Sequence, residues 1–251
     1  MDKQIETLKE YVDASSSAVA ITGAGISFSA GGLSFDHTDQ EGMRELMILG
    51  SEEALRNEPE RYYAALDKAF LHSMLVIGPS PAHRALAQLE SEGKLRGIIT
   101  TNVDCLHTIA GSVNVLEIQG SLQVNKCVDC GKHYDDYMIW SHGTVPECPE
   151  CGGKIWTFPF YSGIGLNDPV VKQARRLISK ADLILIIGAN GNYGNAYWPF
   201  RNRRATIVQI NPGSTGFDRA ADLNIRRDAD SVFAELMEAR EAERNSGSQE
   251  S

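Results

Sequence analysis

The sequence predicts an α/β fold, a Rossmann-like parallel sheet flanked by helices, with a small inserted zinc-binding and helical domain. Three observations predict it. Short apolar, β-branched runs alternate with helical patterns, as in parallel strands covered on both faces. Three of those runs end in Gly or Asn, where a ligand of such a sheet would lie. One Cys- and Gly-rich stretch breaks the alternation and carries two C-x-x-C pairs.

The elements follow in order. Residues 3–14 (KQIETLKEYVDA) read as a helix because Ile5, Leu8, Tyr11 and Val12 recur at helical spacing. AVAIT (18–22) is a strand that ends in Gly-Ala-Gly and opens a helix. Residues 40–73 look helical and lack strand alternation. GPSPAHRALAQLESEG (78–93) starts with Pro79 and Pro81 and closes on Gly93, as a helix does. LRGIITT (95–101) and VNVLEI (113–118) are strands. Residues 121–157 show little periodicity. DPVVKQARRLISKA (168–181) returns to helix, DLILIIGAN (182–190) and ATIVQIN (205–211) are strands, and residues 228–242 form the last helix. The polar residues 243–251 are expected to be a disordered tail.

Composition bounds the function. The chain has 251 residues, 42% hydrophobic and 23% charged, which suits a globular protein. Its net charge of −9 repels phosphate backbones, so no nucleic-acid partner is expected. Arg201, Arg203 and Arg204 are the one basic cluster, and a solvated loop explains them. Met1 to Glu10 has no apolar signal region, and the longest apolar stretch is too short to cross a bilayer. A cytoplasmic protein without a membrane partner is expected. In that reducing setting, five cysteines point to metal ligation before disulfides.

Cys127, Cys130, Cys148 and Cys151 form the two pairs, separated by residues 131–147. Each pair presents two thiolates from one tight turn. Together they complete the closed tetrahedral set of a structural zinc site, which leaves no open position for a substrate. Redox dithiols are the alternative. Cys105 stands apart and reads as a small buried apolar residue.

Gly23-Ala24-Gly25-Ile26-Ser27 follows the first strand. Its glycines would let the backbone approach a pyrophosphate. A short glycine motif of this kind is weak by itself. Gly188-Ala189-Asn190-Gly191 and Asn211 occupy equivalent strand tips, and three such tips favour a dinucleotide crevice.

These residues resemble the sirtuin family. GAGIS (23–27) is similar to its first NAD motif, and residues 81–111, with Asn102, Asp104 and His107, look like its central block. The Cys pairs match its zinc module, and GAN (188–190) and IN (210–211) its later ribose-contacting motifs. The resemblance implies that NAD is consumed as a cosubstrate, by cleavage of its nicotinamide–ribose bond, beside a structural Zn2+. It implies that Gly23, Ala24, Gly25 and Ser27 contact NAD and that Phe35 shields the ribose. Thr101 and Gly188 belong to the same site. Asn102 would orient the ribose and its attacking group, Asp104 would hold the nicotinamide carboxamide, and Asn190 and Asn211 would bind the adenosine side. Residues 1–36, 74–120 and 158–242 would form the NAD-binding domain. The 37–73 helical insertion and the 121–157 zinc module would form the small one.

The departures bear on activity. The family's deacylases read His-Gly-Ser where this chain reads Gln119-Gly120-Ser121. In them the histidine takes a proton from the ribose. An amide can orient a hydroxyl but does not titrate near neutrality, and losing a positioned base costs about 10²–10⁴-fold. Ser34-Phe35-Asp36 replaces Asp-Phe-Arg, and Thr101 replaces a Gln. Gln119 and NAYWPF (195–200) look like the macrodomain-linked, class M sirtuins, associated with protein mono-ADP-ribosylation. The first expectation is therefore an NAD-dependent ADP-ribosyltransferase with Asn102, Asp104 and Gln119 as catalytic residues. Its partner would be a protein acceptor such as a lipoyl-carrier protein. The alternatives are a lysine deacylase, with His107 or a water as substitute base, a non-catalytic sensor of NAD or ADP-ribose, and an NAD glycohydrolase.

Overall fold

The computed structural model describes residues 2–27, 48–49, 52–67, 78–134, 145–159, 168–191 and 204–247. Six parallel strands form the main sheet: β1 (Ala18–Thr22), β2 (Leu95–Thr100), β3 (Val115–Glu117), β7 (Leu183–Ile187), β8 (Thr206–Ile210) and β9 (Leu223–Ile225). Their order is β3-β2-β1-β7-β8-β9. The chain builds outward from β1 in one direction and then returns to its other side. Such a reversal opens a crevice between the first turns on either side of it.

Every residue of β1 and β7 is buried. That explains why both read as unbroken apolar runs. One face packs Val19, Ile21, Ile184 and Ile186 on Val171, Ala174 and Ile178 of the Asp168–Lys180 helix. The other packs Ala18, Ala20, Leu183 and Leu185 under the helices Lys3–Ala14, Pro81–Ser91 and Ala229–Gly247. Asp2 caps the first helix by accepting from the Gln4 N–H at 2.9 Å. The helix stops at the extended Ser15.

A second, antiparallel sheet orders β5-β4-β6, with β4 at Gly120–Cys127, β5 at His133–Tyr134 and β6 at Ile155–Pro159. Helices Glu52–Asn57 and Pro59–Leu66 join it through a core of Leu55, Tyr62, Tyr63, Leu66, Cys105 and Leu122. Tyr62 and Tyr63 are thus packing residues.

Four details add to or depart from expectation. The 121–157 segment, which shows little periodicity in sequence, contains β5 and most of β4 and β6. β9 was not foreseen, being too short for any period to register. The last helix does not stop at 242 before a disordered tail. It runs to Gly247, and Glu243 and Arg244 hold it to Lys9 and Glu92. Finally, the turn after β1 takes 3-10 form over Ala24–Ser27, the last described residues before the 28–40 loop. The 28–40 loop with Phe35, His37 and His72, Arg201 and Arg203, and NAYWPF lie outside the described residues. Among the described residues no helix is long and apolar enough to cross a membrane.

Asp182, just ahead of β7, fastens the serine loop that leads into β1. Its carboxylate accepts from the Ser16 N–H at 2.9 Å, the Ser16 hydroxyl at 2.8 Å, the Ser17 N–H at 3.1 Å and the Ser15 hydroxyl. Partial burial raises its pKa, but these donors prevail and hold it down at about 2, from 3.8. A depressed carboxyl stabilises the fold above its unfolded pKa, and that contribution is lost as pH falls through the folded one. Asp182→Asn should therefore lower the urea midpoint at pH 6. The gap from the parent protein should close between about pH 4 and pH 2, as followed by circular dichroism.

Candidate functional site

The crevice starts from two glycine turns that touch. Gly23 N–H donates to the Ile187 carbonyl at 3.1 Å and Gly25 N–H to the Gly188 carbonyl at 2.9 Å. A Cβ on Gly25 would stand 2.8 Å from Gly188 Cα, and one on Gly188, at φ +57°, would stand 2.1 Å from Ile26 N. Only glycine lets the tips of β1 and β7 meet this closely. Ala24 opens the 3-10 turn, and Ser27 closes it with a buried hydroxyl that has no partner among the described residues. A glycine cradle with an unsatisfied buried hydroxyl suits a polar ligand such as a dinucleotide's phosphates and ribose.

The loop after β2 leans on this turn. Thr101 N–H donates to the Thr22 carbonyl at 3.2 Å, and the Asn102 amide donates to the Gly23 carbonyl at 3.3 Å. Asp104 is 4% exposed, and one of its oxygens accepts from the Leu106 N–H at 3.1 Å. Burial pushes its carboxyl up to about 6 although that N–H pulls the other way.

The loop after β3 is fastened to the loop after β2. Ile118 N–H donates to the Thr100 carbonyl at 3.0 Å and Leu122 N–H to the Val103 carbonyl at 2.9 Å. Cys105 Sγ lies 3.2 Å from Ser121 Oγ. Gln119, half-buried in the turn between β3 and β4, is thereby held beside the 102–105 loop. Cys105 takes a left-handed backbone, φ 61°, which costs a residue with a Cβ about 1–2 kcal/mol. Burial pushes its thiol up to about 12, so it is no nucleophile.

Histidine 107, weighed as a substitute base, faces inward. Its Nε2 lies 2.8 Å from Thr22 Oγ1, and its ring sits 4.6 Å from that of His83. Burial keeps both rings below the usual histidine range, His83 at about 4. At the tip after β8, Asn211 N–H donates to the Ile225 carbonyl at 3.1 Å and its amide to the Gly213 carbonyl at 3.0 Å. Asn190, exposed at the tip after β7, accepts from Gly216 N–H at 3.1 Å.

The structure thus brings Gly23, Ala24, Gly25, Ser27, Thr101, Asn102 and Gly188 together at the tips of β1, β2 and β7, with Asp104 buried in the Asn102 loop, Gln119 in the turn fastened to that loop, and Asn190 and Asn211 along the same sheet edge. Sequence reasoning passed over Glu117. It is the one charged residue in an apolar strand and ends β3, two positions before Gln119 in the turn that follows. Burial pushes its carboxyl up to about 7 against a hydrogen bond from Ser121, and the Asp104 charge adds to the rise.

The four thiols of the second site lie within 4.8 Å of one another. Cys127 and Cys151 approach to 3.5 Å and Cys130 and Cys148 to 3.6 Å. Thiolates placed tetrahedrally about 2.3 Å from zinc would lie about 3.8 Å apart, so the cluster fits the ion. The Tyr134 hydroxyl, 3.0 Å from Cys148 Sγ, holds that thiol down at about 6. Asp129 N–H supports Cys127 Sγ at 3.4 Å.

The Sir2 family model matches residues 23–193. An NAD-dependent protein deacetylase of Clostridium perfringens is 35% identical over 246 residues, covering 95% of this chain and 100% of that protein. An NAD-dependent protein deacylase of Pyrococcus furiosus is 33% identical over 235 residues, covering 89% and 93%. Among solved structures, the complex of a Sir2 homologue with NAD superposes with a TM-score of 0.78 at 31% identity, covering 94% of each chain. Sir2 bound to acetylated peptide gives 0.77 at 29%, covering 94% and 98%.

Two outcomes follow. Gly25→Ala should weaken NAD binding by about 1–3 kcal/mol through overpacking against Gly188, read by calorimetry, with zinc content unchanged. Purified protein should carry about one zinc ion, and a strong chelator should remove it with loss of the second sheet's amide protection from exchange.

Proposed function

The chain belongs to the Sir2 family, and from that premise we propose that it is an NAD-dependent protein deacylase acting on acylated lysine. The family match carries the NAD dependence. The names of several relatives, deacetylases and deacylases at 32–35% identity, support the acyl-lysine substrate, as does the likeness to Sir2 bound to acetylated peptide. This reverses the order expected from Gln119 and NAYWPF, which put the transferase first.

In this reading NAD supplies a labile nicotinamide–ribose bond when bound. The glycine turns at 23–25 and 188 receive its phosphates, with Ser27 adding a hydroxyl. Asn102, braced on the Gly23 carbonyl, orients the ribose. Asp104 holds the nicotinamide amide, a contact its buried carboxyl makes as donor or acceptor according to its protonation. Gln119 orients a hydroxyl without taking its proton. Asn190 and Asn211 hold the adenosine end. The main sheet serves as the dinucleotide domain. The zinc-bearing sheet and the helices packed on it frame the site for the acylated chain, and the metal takes no part in the chemistry.

One observation favours a second reading. Gln119 removes the titratable group at a position where deacylases carry histidine, as in the class M resemblance. Passing ADP-ribose to a protein side chain, such as one on a lipoyl-carrier protein, depends more on positioning than on that proton transfer.

The test is product analysis by mass spectrometry after incubation with NAD, acyl-lysine peptides and lipoyl-carrier protein. O-acyl-ADP-ribose together with free lysine supports the first reading. Mass gain of one ADP-ribose on the protein, without acyl loss, overturns it in favour of the second. No nicotinamide release at all defeats both and leaves a sensor. Gln119→His should raise acyl removal about 10²-fold if proton transfer limits the parent enzyme.

A further inference from the structure

We propose that Arg226 is a positioning residue for the adenosine half of NAD, acting through the loop that joins Asn211 to Asn190. The proposal rests on the NAD-binding reading above and adds a residue that the reading did not include.

The need for such a residue starts in the sequence. Asn190 and Asn211 stand at the tips of different strands, β7 and β8, and one dinucleotide would meet both. The chain from Asn211 to Phe217 runs through Pro212-Gly213-Ser214-Thr215-Gly216. Two glycines in so short a stretch make it costly to order. A brace from outside the loop is needed if the two asparagines are to keep a fixed spacing.

The loop reaches both of them. Gly216 N–H donates to the Asn190 carbonyl at 3.1 Å. The Phe217 ring covers Gly191, where an added Cβ would stand 3.2 Å from it. At the other end, the Asn211 amide donates to the Gly213 carbonyl at 3.0 Å. That bond fixes the rotation of the amide and leaves its oxygen as an acceptor for a ligand hydroxyl.

Arg226 closes the loop. Asn211 N–H bonds to the Ile225 carbonyl, so Arg226 is the next residue along from that bond. Its Nη1 donates to the Gly213 carbonyl at 2.6 Å, and the guanidinium and the Asn211 amide thus meet on one oxygen. Its Nη2 lies 2.7 Å from Asp218 Oδ2. Asp218 Oδ1 accepts from the Gln209 amide at 2.7 Å and from the Thr215 N–H at 3.0 Å. Gln209 is fully buried on β8. One guanidinium therefore joins the start of the loop at Gly213 to its end at Asp218, and Gln209 ties that end to the sheet. The bonds from Gln209, Arg226 and Thr215 hold the Asp218 carboxyl well below the usual carboxylate range, which keeps the pair ionised.

Global stability does not explain the pair. The two side chains are 38% and 28% exposed, and an ion pair so placed adds little to the fold as a whole. Its effect is on the loop. The planar guanidinium serves a carbonyl with one arm and a carboxylate with the other, a task that a fork performs and a point charge does not.

The test compares the full-length zinc-loaded parent with Arg226→Ala, Asp218→Asn and the double variant. Arg226→Ala should weaken calorimetric binding of ADP-ribose and of adenosine monophosphate about tenfold while leaving the urea midpoint nearly unchanged. In turnover it should raise KM for NAD by a similar factor and leave kcat within about twofold. The double variant should bind within about twofold of Arg226→Ala, since both changes break one brace. Without any ligand, hydrogen exchange of the 213–218 amides should quicken about tenfold in Arg226→Ala.

Nucleotide binding that weakens with no faster exchange in this loop would mean that Arg226 touches the ligand itself, and would overturn the positioning role. So would losses in the double variant that multiply those of the single ones. A parent that binds both nucleotides, with Arg226→Ala unchanged, overturns this proposal alone. A parent that binds neither overturns it together with the functional reading beneath it.

Discussion

The contact between the tips of β1 and β7 is the constraint on which the rest depends. At the place where the sheet order reverses, Gly25 and Gly188 approach so closely that a side chain on either would strike backbone. This contact sets the floor of the crevice. The Asn102 loop rests on the same turn through the Thr22 and Gly23 carbonyls, and the Gln119 turn rests on the Asn102 loop through Thr100 and Val103. Each layer takes its position from the one beneath it. The polar groups are therefore held by backbone bonds, which fix them better than side-chain packing alone would.

Metal and chemistry are kept apart. The four thiolates are protein ligands of one closed site, and their supports, Tyr134 and the Asp129 N–H, come from the same small sheet. β4 leaves the crevice at Gly120 and reaches the cluster at Cys127. The cluster thus steadies the far end of a strand whose near end follows Gln119. Its effect on the site passes through that strand and the core of Tyr62, Tyr63, Leu66 and Leu122.

Much of this was legible in the residues. Strands buried on both faces announce themselves as apolar runs, which is why AVAIT and LILII were found at their true positions. The thiolate spacing is chemistry written directly in sequence. β9 was hidden because three residues cannot display a period. The antiparallel sheet of the zinc module was hidden because β5 has only two residues and Cys, Gly and Pro interrupt the stretch, so no strand alternation registers. Cys105 gave no hint of its left-handed backbone, since cysteine has no preference for that conformation.

The first and last helices run side by side in the same direction. Asp2 meets Arg227 just past β9, Gln4 meets Asn224, and Lys9 meets Glu243 near the other end. The two ends of the described chain consequently leave from opposite rims of the sheet. A fusion partner joined ahead of Asp2 would emerge on the rim that carries the crevice and could crowd an incoming protein. One joined beyond Gly247 would emerge behind the sheet, clear of the approach. For immobilising this protein on a surface, the carboxyl end is the side that leaves the mouth open.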